Sequence, residues 1–194
     1  MVLIIRASFL ILLCGLLTAC GVAPEKRAPA TAAQIAALAA EIRALSPDVD
    51  PEEARRAARI SYEHTRVLAI EYQIVDPPLI HNTKVNMGLK PRGLCWHWAE
   101  DMEKRLNEEA FETLILYRAI ANADNAYRID HSTAIIAAKG TGMFDGIVLD
   151  PWRKGGYLFW DQVVEDTKYE WVPRELVLDA KRRQLIVEGK LAPS

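Results

Sequence analysis

The sequence is poor in cysteine, has no excess of basic charge and contains no apolar run long enough to cross a membrane, and each shortage removes a class of function. Its three cysteines, Cys14, Cys20 and Cys95, form no Cys-x-x-Cys pair. Its four histidines form no His-x-x-x-His step, so no metal site is predicted, and the mature chain has no disulfide framework. With 24 Lys and Arg against 26 Asp and Glu, the formal net charge is −2. That balance offers no basic stripe to a phosphate backbone, so no nucleic-acid partner is predicted. The glycines of Gly140-Thr141-Gly142-Met143-Phe144-Asp145-Gly146 resemble a dinucleotide loop only superficially. The third comes one residue late and a strand is expected to follow, so the segment reads as a turn and no cofactor is predicted.

Export accounts for two of the cysteines. Residues 1–19 carry Arg6 and an apolar run from Phe9 to Leu17, too short for a typical span, and then Leu17-Thr18-Ala19-Cys20-Gly21. Leu-Thr-Ala-Cys resembles a bacterial lipobox, which implies cleavage before Cys20, lipidation of its thiol and loss of Cys14 with the signal. The alternative is an uncleaved N-terminal anchor. Gly21 after the modified cysteine fits an outer-membrane lipoprotein facing the periplasm if the host is diderm. Cleavage removes Arg6 and takes the formal charge from −2 to −3. What remains, roughly 170 residues, fits one domain with a real core.

The predicted organisation is a signal peptide over 1–19, a lipidated tether over 20–30 and a single α+β domain with N-terminal helices over 31–194. Val22 to Ala33 is rich in Ala, Pro and charge and reads as a tether with little chemistry. From Thr31 onward, Ile35, Leu38, Ile42 and Leu45 form one apolar stripe at helical spacing. Asp50-Pro51-Glu52-Glu53 restarts a helix with Asp as cap, Pro in the first turn and Glu at the capping-box position, and that helix is expected to reach about Tyr72. Val75 to Asn82 is read as loop because of its paired prolines. Trp98, Met102 and Leu106 then follow Cys95 at helical spacing and put the cysteine on the inward face of a first turn. Strands are predicted at Thr113–Ile120, Ser132–Ala138 and Ile147–Asp150, with extended pieces at Gly156–Trp160 and Tyr169–Val172 and a final helix over Arg174–Glu188. Helices followed by an antiparallel sheet make an α+β layout.

Cys95 is the only thiol that export leaves unmodified. A thiol attacks acyl carbon as thiolate, and a helix start or a histidine favours that form. His131 opens the second predicted strand, and Asp150 closes the strand joined to it, where its carboxylate can fix the imidazole tautomer. His97, two residues after Cys95, does not share its helix face and reads as a residue that supports the site from behind or is structural.

The pieces Gly93-Leu94-Cys95-Trp96-His97-Trp98-Ala99, His131-Ser132-Thr133-Ala134-Ile135 and Val148-Leu149-Asp150-Pro151-Trp152, in that order, resemble the transglutaminase-like branch of the papain-like cysteine protease superfamily. The resemblance spans roughly Gly88 to Trp171. It implies a nucleophile-bearing helix packed on an antiparallel sheet below a helical layer, with Cys95, His131 and Asp150 as a catalytic triad. The superfamily includes peptidases, amidases and acyl transferases. Two departures stand out: an aromatic commonly found shortly after the family's histidine is not evident in Ser132-Thr133-Ala134, and no side-chain oxyanion donor is obvious. Asn86 and Asn82 are the candidates for that role, with Lys90 behind them, and the Cys95 N–H is the backbone donor. The expected function is an envelope-anchored thiol hydrolase acting on a protein or peptide amide. The expected partners are that substrate and the membrane reached through the lipid. The alternative is an inactive scaffold of the same fold, in which Cys95 is a small buried hydrophobe.

Overall fold

The computed structural model describes residues 22–192. The signal peptide expected over residues 1–19, with Cys14, and the expected lipidation site Cys20 lie outside the described residues. Helix α1 spans Ala32–Ala44, α2 Pro51–Glu71, α3 Pro78–Asn86 and α4 Cys95–Asn107. Strands β1 (Leu114–Ala121), β2 (His131–Ala138), β3 (Ile147–Asp150), β4 (Phe159–Gln162) and β5 (Val172–Pro173) follow, and α5 (Arg174–Val187) closes the order. The five strands form one open antiparallel sheet in the order β4-β3-β2-β1-β5. Several helices pack against it, so the chain has an α+β fold.

Local chemistry starts the first two helices. Thr31 Oγ1 accepts from Gln34 N–H at 3.2 Å while Gln34 Oε1 accepts from Thr31 N–H at 2.9 Å, a reciprocal cap. Asp50 Oδ1 accepts from the N–H groups of Glu52 and Glu53 at 2.8 and 2.9 Å. Glu53, expected to complete a capping box, instead reaches across to the start of β1, where it accepts from the N–H groups of Glu112 at 2.7 Å and Thr113 at 2.9 Å. Burial pushes its carboxyl up, but the Thr113 hydroxyl and these two N–H groups hold it below the usual carboxylate range.

The segment read as loop is in part a helix. Pro77 stays extended with ψ 151° and Pro78 takes the first position of α3, where a fixed φ suits the helix and the missing N–H has no partner to lose. The paired prolines therefore start a helix. The supposed tether also differs from expectation: Pro24 is buried and Arg27 donates to the carbonyls of Gly155 and Ile74 at 2.8 and 3.0 Å, so Val22–Ala30 lies docked along the domain.

Alternation along the central strands divides the core in two. Ala134, Ile136, Ala138, Ile147 and Leu149 pack with Leu38, Ile42, Met102 and Leu106 of the helices. Ile135 and Val148 face the other way, against Ala119, Met143, Val163 and Trp171. Because β2 pairs Ala134 with Leu149, continuing that register sets Asp150 opposite Thr133, on the same face as His131 two residues away.

Glu53→Ala is expected to leave two N–H groups unpaired and to lower stability by about 2–3 kcal/mol, read from the urea midpoint. Glu52→Ala, which removes an exposed ion pair with Arg55, is expected to cost less than about 0.5 kcal/mol. The Glu53 contribution is present above the ordinary Glu pKa and is lost as pH falls through its lower folded value.

Candidate active site

The backbone around Cys95 is held by side chains of its own first turn. Gly93 has φ +123°, and a Cβ there would lie 2.4 Å from His81 Nε2, so only glycine fits this approach. Leu94 is extended at ψ 154° and α4 begins at Cys95. His97 Nδ1 accepts from the N–H groups of Gly93 and Leu94, both at 3.1 Å, and Trp98 Nε1 donates to Gly93 O at 3.1 Å. Burial, then the Arg92 charge, pushes the His97 pKa down, in keeping with a neutral ring whose Nδ1 accepts. His97 thus has the structural role that its spacing predicts. Arg92 donates to Asp101 at 3.0 Å and fastens the approaching loop to α4.

Cys95 is 6 % exposed, and its thiol donates to Asp130 O at 3.5 Å. Among the described residues no protein acceptor takes the Cys95 N–H. It remains one of the unsatisfied donors of a helix start, at the positive end of a 13-residue helix.

His131 and Asp150 are each 1 % exposed and meet directly: His131 Nε2 donates to Asp150 Oδ2 at 2.7 Å. That bond leaves Nδ1 as the ring nitrogen without a carboxylate partner. Nδ1 is buried and makes no hydrogen bond. Burial alone would lower the imidazole pKa, but the Asp150 charge and hydrogen bond, with a smaller contribution from nearby Cys95, push it up to about 9. Trp152 and Tyr169 pack on the ring with centroids 4.6 Å away, and Trp171 at 5.4 Å.

The aspartate belongs to a larger ion network that sequence reasoning did not find. Arg153 Nε donates to Asp150 Oδ2 at 2.9 Å and its N–H to Oδ1 at 3.0 Å. The same guanidinium grips both Asp166 oxygens at 3.0 and 2.6 Å, and Trp171 Nε1 adds a bond to Asp166 at 2.9 Å. Burial would raise the Asp150 carboxyl, but the His131 charge and hydrogen bond, followed by Arg153, hold it below the usual range. Arg153 also lies over the rings of Phe159 at 3.8 Å and Tyr169 at 4.7 Å. The available signal was the arginine three residues after Asp150; its second partner, thirteen residues further on, had no signature.

The two asparagines part company. Asn82 Oδ1 accepts from Trp152 Nε1 at 3.0 Å, which ties α3 to the indole resting on His131. Asn86, the last residue of α3, is exposed and makes no side-chain hydrogen bond among the described residues. Lys90 donates to Gln73 at 3.3 Å. No group of three His, Cys, Asp or Glu side chains among the described residues could hold a metal ion. The larger grooves lie elsewhere: one of about 680 Å³ runs between the Asn122–Arg128 turn and α5, and another of about 580 Å³ between α1 and α2. Comparison with protein-family models, with curated proteins and with solved structures returns no match.

An NMR titration of His131 is expected to give a midpoint of about 9. In Asp150→Asn, where burial is unopposed by the carboxylate charge, the midpoint is expected to fall below the ordinary histidine value of about 6.5. The imidazolium's contribution to stability is fully present below that ordinary value and is lost as pH rises through the folded one.

Proposed function

We propose that the protein is a thiol hydrolase of transglutaminase-like, papain-related type, anchored to the cell envelope by a lipid on Cys20 and acting on a protein or peptide amide. The observation that carries the reading is the 2.7 Å bond between His131 Nε2 and Asp150 Oδ2 beside a cysteine that opens a helix. With the Cys95 proton held on His131 as a thiolate–imidazolium pair, the thiolate attacks the amide carbon. Oxyanion charge develops toward the Cys95 N–H, a type of contact worth about 3–4 kcal/mol in the transition state. The imidazolium gives its proton to the leaving amine, and a thioester remains. Water then attacks it, with His131 as base, to release the acid and regenerate the thiol. A second amine in place of water would make the outcome acyl transfer. Asp150 keeps Nε2 protonated and stabilises the imidazolium, and Arg153 keeps Asp150 charged and aimed.

The low exposure of Cys95 favours a second reading, a non-catalytic envelope scaffold that keeps the same fold for binding. Alkylation by iodoacetamide separates the two. In the full chain at pH 7, His131→Ala is expected to slow reaction of Cys95 by at least about tenfold. A rate indifferent to His131 supports the scaffold. A peptide amide substrate found by screening is expected to leave a thioester on Cys95, detectable by intact mass and absent in Cys95→Ala.

The lipid anchor rests on Leu17-Thr18-Ala19-Cys20. Detergent-extracted protein is expected to have lost residues 1–19 and gained the mass of a lipid, while Cys20→Ala retains the signal and gains none. An unmodified Cys20 in the extracted parent overturns the anchor.

A further inference from the structure

Arg27 is clasped along its whole guanidinium. Nε donates to Val22 O at 3.0 Å, Nη1 to Gly155 O at 2.8 Å and Nη2 to Ile74 O at 3.0 Å, and the group lies 4.6 Å from the centre of the Tyr157 ring. The turn it grips begins directly after Asp150, and closes with Gly155 N–H on Trp152 O and Gly156 N–H on Pro151 O, both at 2.9 Å. At Gly156, φ is +85° and a Cβ would lie 2.9 Å from Arg27 Nη1, so a side chain there would push the arginine out. Arg66 adds a bond to Glu25 O at 3.2 Å and Pro24 is buried. The segment is a strap built into the domain.

Only Gly21 lies between Cys20 and Val22, and two residue steps span at most about 7 Å. A lipid on Cys20 therefore brings the surface around Val22 to the bilayer. That surface suits the place. Val22 is 56 % exposed and Tyr157 51 %, and Lys26 and Lys154 are exposed beside them. Pro78 lies 3.9 Å from the Cβ position of Gly155, and the turn it opens exposes Leu79 and Ile80. Apolar and aromatic side chains with lysines among them match the boundary between headgroups and acyl chains.

We propose that this strap face, Val22–Arg27 with the Gly155–Tyr157 turn, lies on the lipid bilayer, so that the candidate site is held at the membrane surface and takes an amide-bearing chain presented there. The inference rests on the lipid attachment proposed for Cys20. Arg27 is a positioning residue: it joins the membrane-bound segment to the turn that supports Asp150 and Arg153.

The test uses the full chain, reconstituted into phosphatidylethanolamine/phosphatidylglycerol vesicles that carry a headgroup-linked energy acceptor. A donor is attached at Lys154→Cys or at Phe144→Cys, each with Cys95→Ser. Phe144 lies in the hairpin at the other end of β3, a strand that spans about 10 Å by its rise. Transfer from position 154 is expected to exceed that from 144 about twofold at this separation. A 20-residue Gly/Ser insertion between Gly21 and Val22, spanning about 25 Å on average, is expected to bring the two values together. Arg27→Ala is expected to narrow the difference as well. Equal transfer from both positions in the parent overturns the proposal. A parent that lacks the lipid mass and does not sediment with vesicles overturns the anchor and this inference with it. Cys95 alkylation, measured on unlabelled vesicle-bound protein with Cys95 intact, reports on the catalytic reading independently.

Discussion

Asp150 is a buried carboxylate between two cations, and the arrangement of the whole site depends on its staying charged. An isolated ion at this depth would cost several kcal/mol. Here one oxygen accepts from His131 and Arg153 side chains and the other from the Arg153 N–H. Asp166 then faces the far side of the Arg153 guanidinium, so with His131 protonated two acids balance two bases. Such a set is stable only when complete, because removing any member leaves an unpaired charge in a medium that solvates it poorly. The aromatic rings over His131 and Arg153 keep water away and strengthen the remaining attractions.

The two histidines near Cys95 show how neighbours divide one residue type between two tasks. Burial, then the Arg92 charge, lowers the proton affinity of His97, and its neutral Nδ1 serves as a backbone cap for two N–H groups. His131 is buried more deeply, yet its proton affinity rises because a carboxylate sits on its other nitrogen. Burial acts in the same direction on both; the adjacent charge reverses the outcome for one.

Helices α1, α2 and α4 and strands β1–β3 were legible because their signals are local. The Thr31 and Asp50 caps, the 3.6-residue step from Trp98 through Met102 to Leu106, and the β-branched runs of β1 and β3 each fall within one element. Pairing His131 with Asp150 was also legible, since a hairpin between successive strands limits how their ends can meet. Two readings failed for the opposite reason. Pro77-Pro78 contains both a helix stop and a helix start, and only the loop before it decides which applies. Arg27 in an Ala- and Pro-rich stretch reads as linker because its acceptors, Gly155 O and Ile74 O, lie 128 and 47 residues away.

Composition and local pattern by themselves determined α1, α2, α4 and β1–β3 and the position of Cys95 at a helix start, because those properties need only neighbours along the chain. Tertiary structure alone decided the Arg153–Asp166–Trp171 support of Asp150, the docking of residues 22–30 and the tight cover over Cys95. Each depends on backbone carbonyls, ring faces or carboxylates that reach their positions only when distant segments fold together, and pairings of that kind leave no period or spacing in the sequence.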